Sequence, residues 1–171
     1  MADVLKAKLL GDAPTAQSDR PPSGNIEAYN ALLEANFQAA KLTDESNRRA
    51  IALLDRAIAL DPNYALAYAK RARAWTFPLA WNDPIVAKGL VAASPARADV
   101  RRALALNPNL AYAHAIAGNL SGYIDGDQAA AEADYRRALA LQPDLSVALT
   151  GLSRQMSQAG RYPEAIDLIR R

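Results

Sequence analysis

The side chains in this sequence that could take part in acid–base chemistry are the single histidine, His114, and two neighbouring carboxylates, Glu132 and Asp134. Two carboxylates work as acid and base only when both groups reach the same substrate. Residues two apart on a helix point in different directions, so Glu132 and Asp134 do not form such a pair. We expect His114 to be packed or hydrogen-bonded rather than to act as a general base.

Other catalytic and ligand-binding patterns are missing as well. The 171-residue chain has no cysteine, which excludes disulfides and thiolate zinc sites. It contains no Gly-rich phosphate loop followed by Lys-Ser or Lys-Thr. We therefore predict that the protein is not an enzyme and that it uses neither a cofactor nor a metal ion.

The charge and hydropathy of the chain also exclude two classes of partner. Its 20 basic and 18 acidic residues leave a net charge of +2, whereas nucleic-acid-binding domains carry a concentrated basic patch. No apolar run reaches the roughly 18 residues that span a bilayer, and the N-terminus lacks a signal-peptide pattern. We expect no nucleic-acid partner and no membrane insertion. The predicted location is the cytoplasm, or the periplasm if the chain is a piece of a membrane-anchored regulator.

The elements that must position these side chains are marked by an alanine- and leucine-rich phrase. The phrase occurs three times, at residues 57–68, 103–114 and 138–149. Each copy reads as the end of one helix, a proline, and the start of the next helix. Proline has no N–H group and clashes with the preceding turn, so the incoming helix must end there. A repeat of this length predicts stacked helical units in place of one globular core.

Small residues recur at fixed distances from these prolines, where they let two helices approach closely. Twelve residues before each proline stand Ala50, Ala96 and Ala131, and five residues before it stand Ala57, Ala103 and Ala138. Between them, the larger core contacts are Leu54, Val100 and Tyr135. In the helix that follows each turn, the small residues that face its partner are Ala72, Gly118 and Ser153.

These residues resemble the tetratricopeptide repeat, a unit of two antiparallel helices. The resemblance implies an all-α fold, a right-handed solenoid of antiparallel helix pairs with an extended hairpin in the second unit. About four repeats are expected, at residues 28–64, 65–110, 111–145 and 146–171, the last one incomplete. Residues 1–25 are interpreted as a short N-terminal helix with a linker, and residues 26–171 as the repeat domain.

The irregular segments carry expectations of their own. The insertion at residues 76–94 is too apolar for a free loop. Asn82 or Asp83 with Pro84 predicts the start of one helix, and Ser94 with Pro95 the start of the next. Trp81, within this insertion, is expected to pack in the core. Because solenoids need a polar capping helix, we expect the last repeat to leave some apolar side chains partly uncovered. These are Leu152, Met156 and Leu168.

A finer resemblance concerns the first repeats. Glu27-Ala28-Tyr29, followed by residues 48–68, is similar to the repeats found behind bacterial adenylate cyclase and winged-helix regulator domains. That similarity implies a regulatory or adaptor part of a larger bacterial protein. It also leaves open a ligand-sensing role.

The tetratricopeptide resemblance implies a concave groove lined by the first helix of each unit. The residues it places there for peptide binding are Tyr29, Asn36, Lys70, Arg73, Phe77, Tyr112, Asn119, Tyr123 and Arg154. The asparagine amides can clamp a peptide backbone, because an amide both donates and accepts. The three cations suit an acidic ligand. The lysine positions of the family's carboxylate clamp hold Ala69 and Ala115, which argues against a receptor for chaperone tails.

The leading interpretation is thus a protein–protein interaction scaffold that binds a peptide or a partner helix in this groove. The alternative is a structural element that self-assembles into homo-oligomers through its uncapped C-terminal repeat and its N-terminal helix. The two differ in where substitutions should act, at the groove or at the ends of the stack.

Overall fold

The computed structural model describes residues 19–76 and 86–170, with the side chains of residues 86–93 excepted. The described residues form eight α-helices and one short π-helical segment, and no strand. The helices are α1 (Ile26–Ala39), α2 (Asp44–Leu60), α3 (Ala65–Thr76), α4 (Val86–Leu106), α5 (Ala111–Leu120), α6 (Gln128–Leu141), α7 (Ser146–Gln158) and α8 (Tyr162–Ile169). The π-helical segment, Ser121–Asp125, directly follows α5.

The helices pack as four consecutive pairs, α1 with α2, α3 with α4, α5 with α6 and α7 with α8. Successive pairs then stack, because each second helix contacts the first helix of the next pair. The first helices also meet each other, α3 against α5 and α5 against α7. This is the predicted all-α solenoid of antiparallel helix pairs.

The helix boundaries follow local chemistry. Thr43 opens α2 with a capping box, in which its hydroxyl accepts from the Ser46 amide and the Ser46 hydroxyl accepts from the Thr43 amide. At the other end, Asp61 precedes Pro62 in an extended conformation, as a residue before proline prefers. Gln142 does the same before Pro143. The predicted proline stops are therefore confirmed.

The small residues are buried between the helices of each pair, as predicted. Gly118 shows why size matters at these positions, because a Cβ atom there would lie 2.8 Å from a carbon of the Tyr135 ring. At this separation even the Cβ atom of an alanine would force the Tyr135 ring or the helix to shift. The core is accordingly divided among neighbouring pairs, with Leu54 in the first cluster, Val100 in another and Tyr135 in the last.

Two expectations about the irregular segments are wrong. Helix α4 begins at Val86 and passes through Pro95, so Ser94 and Pro95 do not start a helix. An internal proline costs one backbone hydrogen bond, and the burial of Ala96 and Val100 holds the later part of α4 in place despite it. The predicted N-terminal helix, Phe77, Trp81 and the helix start predicted at residues 82–84 lie outside the described residues.

The second correction concerns the last pair. Leu152 and Met156 are buried, and only Leu168 is half-exposed. Although α8 has only 8 residues, it packs on α7 and covers both side chains together with Tyr135. No helix in the described part of the chain has the length and apolar character that crossing a membrane demands.

Candidate functional site

One groove crosses the first helices of all four pairs. Its volume is about 970 Å³, and α1, α3, α5 and α7 all contribute to its walls. This arrangement follows from the stacking, which places the first helices along one side of the solenoid, with α3 against α5 and α5 against α7. Residues at the same register position of each helix therefore lie in a row along the groove.

Seven of the nine predicted peptide-binding residues line this groove. They are Asn36, Lys70, Arg73, Tyr112, Asn119, Tyr123 and Arg154. Tyr29 lies half-buried on α1 and is not part of the lining, and Phe77 lies outside the described residues. One row consists of Asn36, Arg73, Asn119 and Arg154, each next to the small residue that faces the second helix of its pair.

Two of the cations are held over aromatic rings. The Lys70 ammonium lies 4.3 Å from the centre of the Tyr112 ring, and the Arg154 guanidinium lies 4.1 Å from the centre of the Tyr123 ring. Such contacts fix a cation in place while part of its charge still faces the cavity. The groove thus holds Lys70 and Arg154 at defined positions on two of its first helices.

The partly desolvated setting of Lys70 and Tyr112 changes their acidity. Burial lowers the pKa of Lys70 below its ordinary value, and the neighbouring Arg73 lowers it further, against an opposite effect of Asp19. Burial also raises the pKa of Tyr112 to about 12. Burial disfavours the charged form of Lys70. An anionic ligand group near the ammonium would stabilise that charged form, and this favours binding of an anion.

The charge of the lining is predominantly positive. Among the described lining residues, Lys70, Arg73 and Arg154 are cations, and Asp19 is the one carboxylate. Ala69 and Ala115 are completely buried, so neither position could present a side chain to the groove without repacking. The positive charge is therefore set by residues other than the lysines of the family's carboxylate clamp.

The amide of Asn119 is partly committed to the fold. The Tyr135 hydroxyl donates to the Asn119 side-chain carbonyl at 2.8 Å. This bond leaves the amide N–H₂ of Asn119 as the group that can donate to a ligand. The bond uses one of the two lone pairs of that oxygen, and the role of Asn119 in clamping a peptide backbone stays a prediction.

Lining residues that do not lie on first helices were missed from the sequence, among them Asn47, Gln142 and Leu42. Asn47 comes from α2 and donates from its side chain to the Ala74 carbonyl at 2.9 Å. Gln142 and Leu42 come from the connections after α6 and α1. Gln142 stands directly before the proline of the repeated phrase, which was the one available signal for it.

His114 takes the structural role that we expected. Its Nε2 lies 2.9 Å from the Pro108 carbonyl oxygen, and its Nδ1 lies 3.9 Å from an Asp134 carboxylate oxygen. Burial raises the pKa of Asp134, although the neighbouring His114 opposes the shift. Both side chains lie on the contact between α5 and α6, and neither lines the groove.

Solved structures similar to this chain share its architecture. TTC0263, a thermophilic tetratricopeptide-repeat protein of Thermus thermophilus, is 21% identical with a TM-score of 0.69, over 82% of this chain and 70% of its own. The first tetratricopeptide domain of Spaghetti (RPAP3), bound to the HSP90 peptide SRMEEVD, is 24% identical with a TM-score of 0.57, over 78% of this chain and 93% of its own. The chain has the tetratricopeptide-repeat fold.

A further similar structure is the second tetratricopeptide domain of human RPAP3 in complex with the HSP70 peptide SGPTIEEVD. It is 23% identical with a TM-score of 0.52, over 75% of this chain and 97% of its own. No protein-family model and no curated protein matches the sequence. The similarity therefore lies in the arrangement of the helix pairs.

Proposed function

We propose that the chain is a protein-interaction module that binds an acidic peptide, or an acidic segment of a partner protein, in the groove. The observation that carries this proposal is the charge of the lining. Three of its four described charged residues are cations, and they come from two different helices. Carboxylates that meet Lys70, Arg73 and Arg154 would form charge-assisted hydrogen bonds, the strongest polar contacts available to such a surface.

The remaining groups suit a peptide backbone and its side chains. The free amide N–H₂ of Asn119 can donate to a peptide carbonyl, and the Thr150 hydroxyl can donate or accept. Tyr112 and Tyr123 offer ring surface beside the cations. A desolvated charge-assisted contact contributes about 1.5–3 kcal/mol and an exposed pair about 0–1 kcal/mol. An open groove with few such contacts favours affinity on the order of micromolar.

The complexes of similar structure support this choice of ligand. The peptides bound to the two RPAP3 domains both end in Glu-Glu-Val-Asp. The cations of the present groove lie at other positions than the clamp lysines, so the preferred acidic sequence should differ from those tails. The resemblance of the first repeats to bacterial regulators supports a role for the module as the regulatory or adaptor part of a larger bacterial protein.

A displayed library of random peptides tests the proposal even though the ligand is unidentified. Selection on the wild-type chain should enrich peptides rich in Asp and Glu. The variant Arg73→Glu/Arg154→Glu should bind the selected peptides at least about tenfold more weakly, because two favourable contacts become repulsive. Arg101→Glu is the matched control, since Arg101 is exposed on α4 and lies outside the groove lining.

The outcomes separate the proposal from its rivals. Selected peptides without acidic residues, or acidic peptides that bind the double variant and the wild type equally, would contradict groove binding by charge. Equal loss of binding in the Arg101→Glu control would show a general effect of net charge instead. Circular dichroism of each variant confirms that the helices are retained.

A further inference from the structure

The two ends of the helix stack expose apolar side chains that the inner pairs bury. On α8, the exposed apolar residues are Tyr162, Ile166 and Ile169, which are spaced along one stripe of the helix. On and directly after α1, Leu33, Phe37 and Leu42 are exposed. Isolated apolar residues on a surface are ordinary, but a set at helical spacing at each end of a repeat stack is a candidate contact surface.

At the α8 end, the repeat register indicates which kind of helix fits the exposed surface. Ile169 follows Ala165 by the same four residues as Leu54, Val100 and Tyr135 follow their alanines. Those three side chains are 2%, 6% and 2% exposed, whereas Ile169 is 73% exposed. In each inner case the cover includes the first helix of the next pair, which shares a buried cluster with the side chain. The surface of α8 therefore fits a first helix.

At the α1 end, the same comparison identifies a surface that fits the other kind of helix, a second helix. Phe37 corresponds to Ala74, Leu120 and Gln155, counted from the small residue of each first helix. Those positions are 5%, 4% and 8% exposed, against 64% for Phe37. They are covered by the second helix of the preceding pair: the Ala74 carbonyl accepts from Asn47, and the Gln155 side chain donates to the Gln128 carbonyl. The surface of α1 therefore fits a second helix.

The inner contacts also show which residues would meet. Val100, Ile116 and Leu120 belong to one buried cluster between α4 and α5. The residues in the same register at the two ends are Ile169 on α8 and Leu33 and Phe37 on α1. All three are apolar, so the inner cluster can be reproduced when α8 of one molecule lies on α1 of another.

A second register position supports the same match. At the two inner junctions where both residues are described, the residue after the buried alanine pairs with a residue that follows the next first helix. Arg97 donates to Asp125 at 2.8 Å, and Arg161 lies 3.1 Å from Glu132. Both of these contacts are ion pairs. The second helix supplies the cation in the first contact and the carboxylate in the second.

At the ends, both members of this pair are apolar instead. Ile166 follows the buried Ala165, and Leu42 follows α1. They are 48% and 49% exposed. A charged residue at one end would be buried without an ion-pair partner when it met an apolar residue at the other end. Two aliphatic side chains can instead pack against each other.

We infer that copies of this chain bind head to tail, with the α8 surface of one copy covering the α1 surface of the next. The contact repeats the inner stacking of one helix pair on another, with Ile169 against Leu33 and Phe37, and Ile166 against Leu42. Because the two surfaces are different, a dimer still has one free α1 surface and one free α8 surface. Further copies can bind there, so assembly continues beyond a dimer. Of these five residues, Leu42 alone also lines the groove, so the contact borders the groove at its α1 end.

Two single variants test the inference by complementation. Phe37→Glu blocks the α1 surface and Ile169→Glu blocks the α8 surface. In sedimentation velocity, the wild-type chain should form species larger than a dimer that grow as its concentration is raised. Each variant alone should be monomeric. An equimolar mixture should form a dimer and nothing larger, because each variant retains the surface that the other lacks.

Ile26→Glu is the matched control. Ile26 is as exposed as Ile169, but it corresponds to the exposed turn residues Asn63, Asn109 and Asp144. This variant should assemble like the wild type. A wild type that stays monomeric at every concentration would overturn the inference and would fit a surface covered within the molecule. A dimer abolished by only one of the two substitutions, or a mixture that stays monomeric, would overturn it as well.

Discussion

Gly151 lies where α7 approaches α6 so closely that a Cβ atom would be 2.5 Å from the Tyr135 ring. Gly151→Ala therefore forces the ring or the helix to move, and such overpacking costs about 1–3 kcal/mol. We predict a fall of that size in the free energy of unfolding, measured by urea denaturation.

The atoms that would clash with a Cβ at position 151 belong to the Tyr135 side chain, so a smaller side chain at position 135 should relieve the clash. In a Tyr135→Leu background, which introduces the residue found at position 54, Gly151→Ala should cost much less than in the wild type. A double-mutant cycle measures this coupling. Additive costs would show that the glycine is needed for a reason other than the ring.

Lys70 gives the groove a pH dependence. Because burial lowers its pKa below the ordinary value of 10.5, Lys70 loses its charge at a lower pH than an exposed lysine. Binding of an acidic peptide should therefore weaken as the pH rises through that lowered pKa. Lys70→Arg should keep its affinity over the same range, because arginine stays charged.

Fluorescence anisotropy with a selected acidic peptide, between about pH 7 and pH 10, measures both proteins. The expected result is a declining affinity for the wild type and a flat profile for Lys70→Arg. Parallel declines in the two proteins would place the titrating group elsewhere, either on the peptide or on another residue.

At the scale of the helix, Arg71 connects three elements. Its guanidinium on α3 forms two hydrogen bonds to Asp99 of α4, at 2.6 and 2.8 Å, and a third to Asp55 of α2 at 2.6 Å. Asp99 is buried, so this pairing is shielded from solvent. The pairing raises the pKa of Arg71, against the effect of burial.

Asp99→Asn should lower the free energy of unfolding by about 1.5–3 kcal/mol, because Arg71 loses a charged, bidentate partner. The control is Arg49→Gln, which breaks an exposed pair with Glu45 within α2. That change should cost less than about 0.5 kcal/mol. Thermal or urea denaturation compares the two, and similar costs would contradict a structural role for the Arg71 pairing.

The same scale shows how much of the fold could be predicted from the sequence. Proline stops and buried alanines are local signals, and they placed the ends of α2 and α6 correctly. The prediction of a helix start at Pro95 was wrong because a proline in the first turn of a helix and a proline inside a helix have the same local sequence pattern. The burial of Leu152 and Met156 depended on how far a short α8 extends over them, which is a tertiary property.

Some of the groove residues could be predicted from the sequence and others could not. The resemblance to a repeat family placed most of its first-helix residues in the lining, Tyr29 excepted, because those positions recur. It could not predict Asn47 or Leu42, which reach the groove from α2 and from a connection. It also could not predict that Tyr135 occupies the carbonyl of Asn119, since this bond joins two helices at a distance that only packing sets.

At the scale of the whole molecule, the solenoid separates two surfaces. The groove runs along the side formed by the first helices, and the apolar surfaces lie at the two ends of the stack. Because each pair contacts only its neighbours, a ligand in the groove and a second copy at an end can bind at the same time. Substitutions in one surface should therefore leave the other unchanged, except at Leu42, which belongs to both.

The most direct test of the groove is a map of peptide binding by ¹H–¹⁵N NMR, with a selected acidic peptide titrated into the labelled chain. We predict the largest shifts at groove residues of α3, α5 and α7, including Arg73, Asn119 and Arg154. Arg101 on α4 should not shift. Largest shifts on α8, or on the outer surfaces of the second helices, would contradict the account.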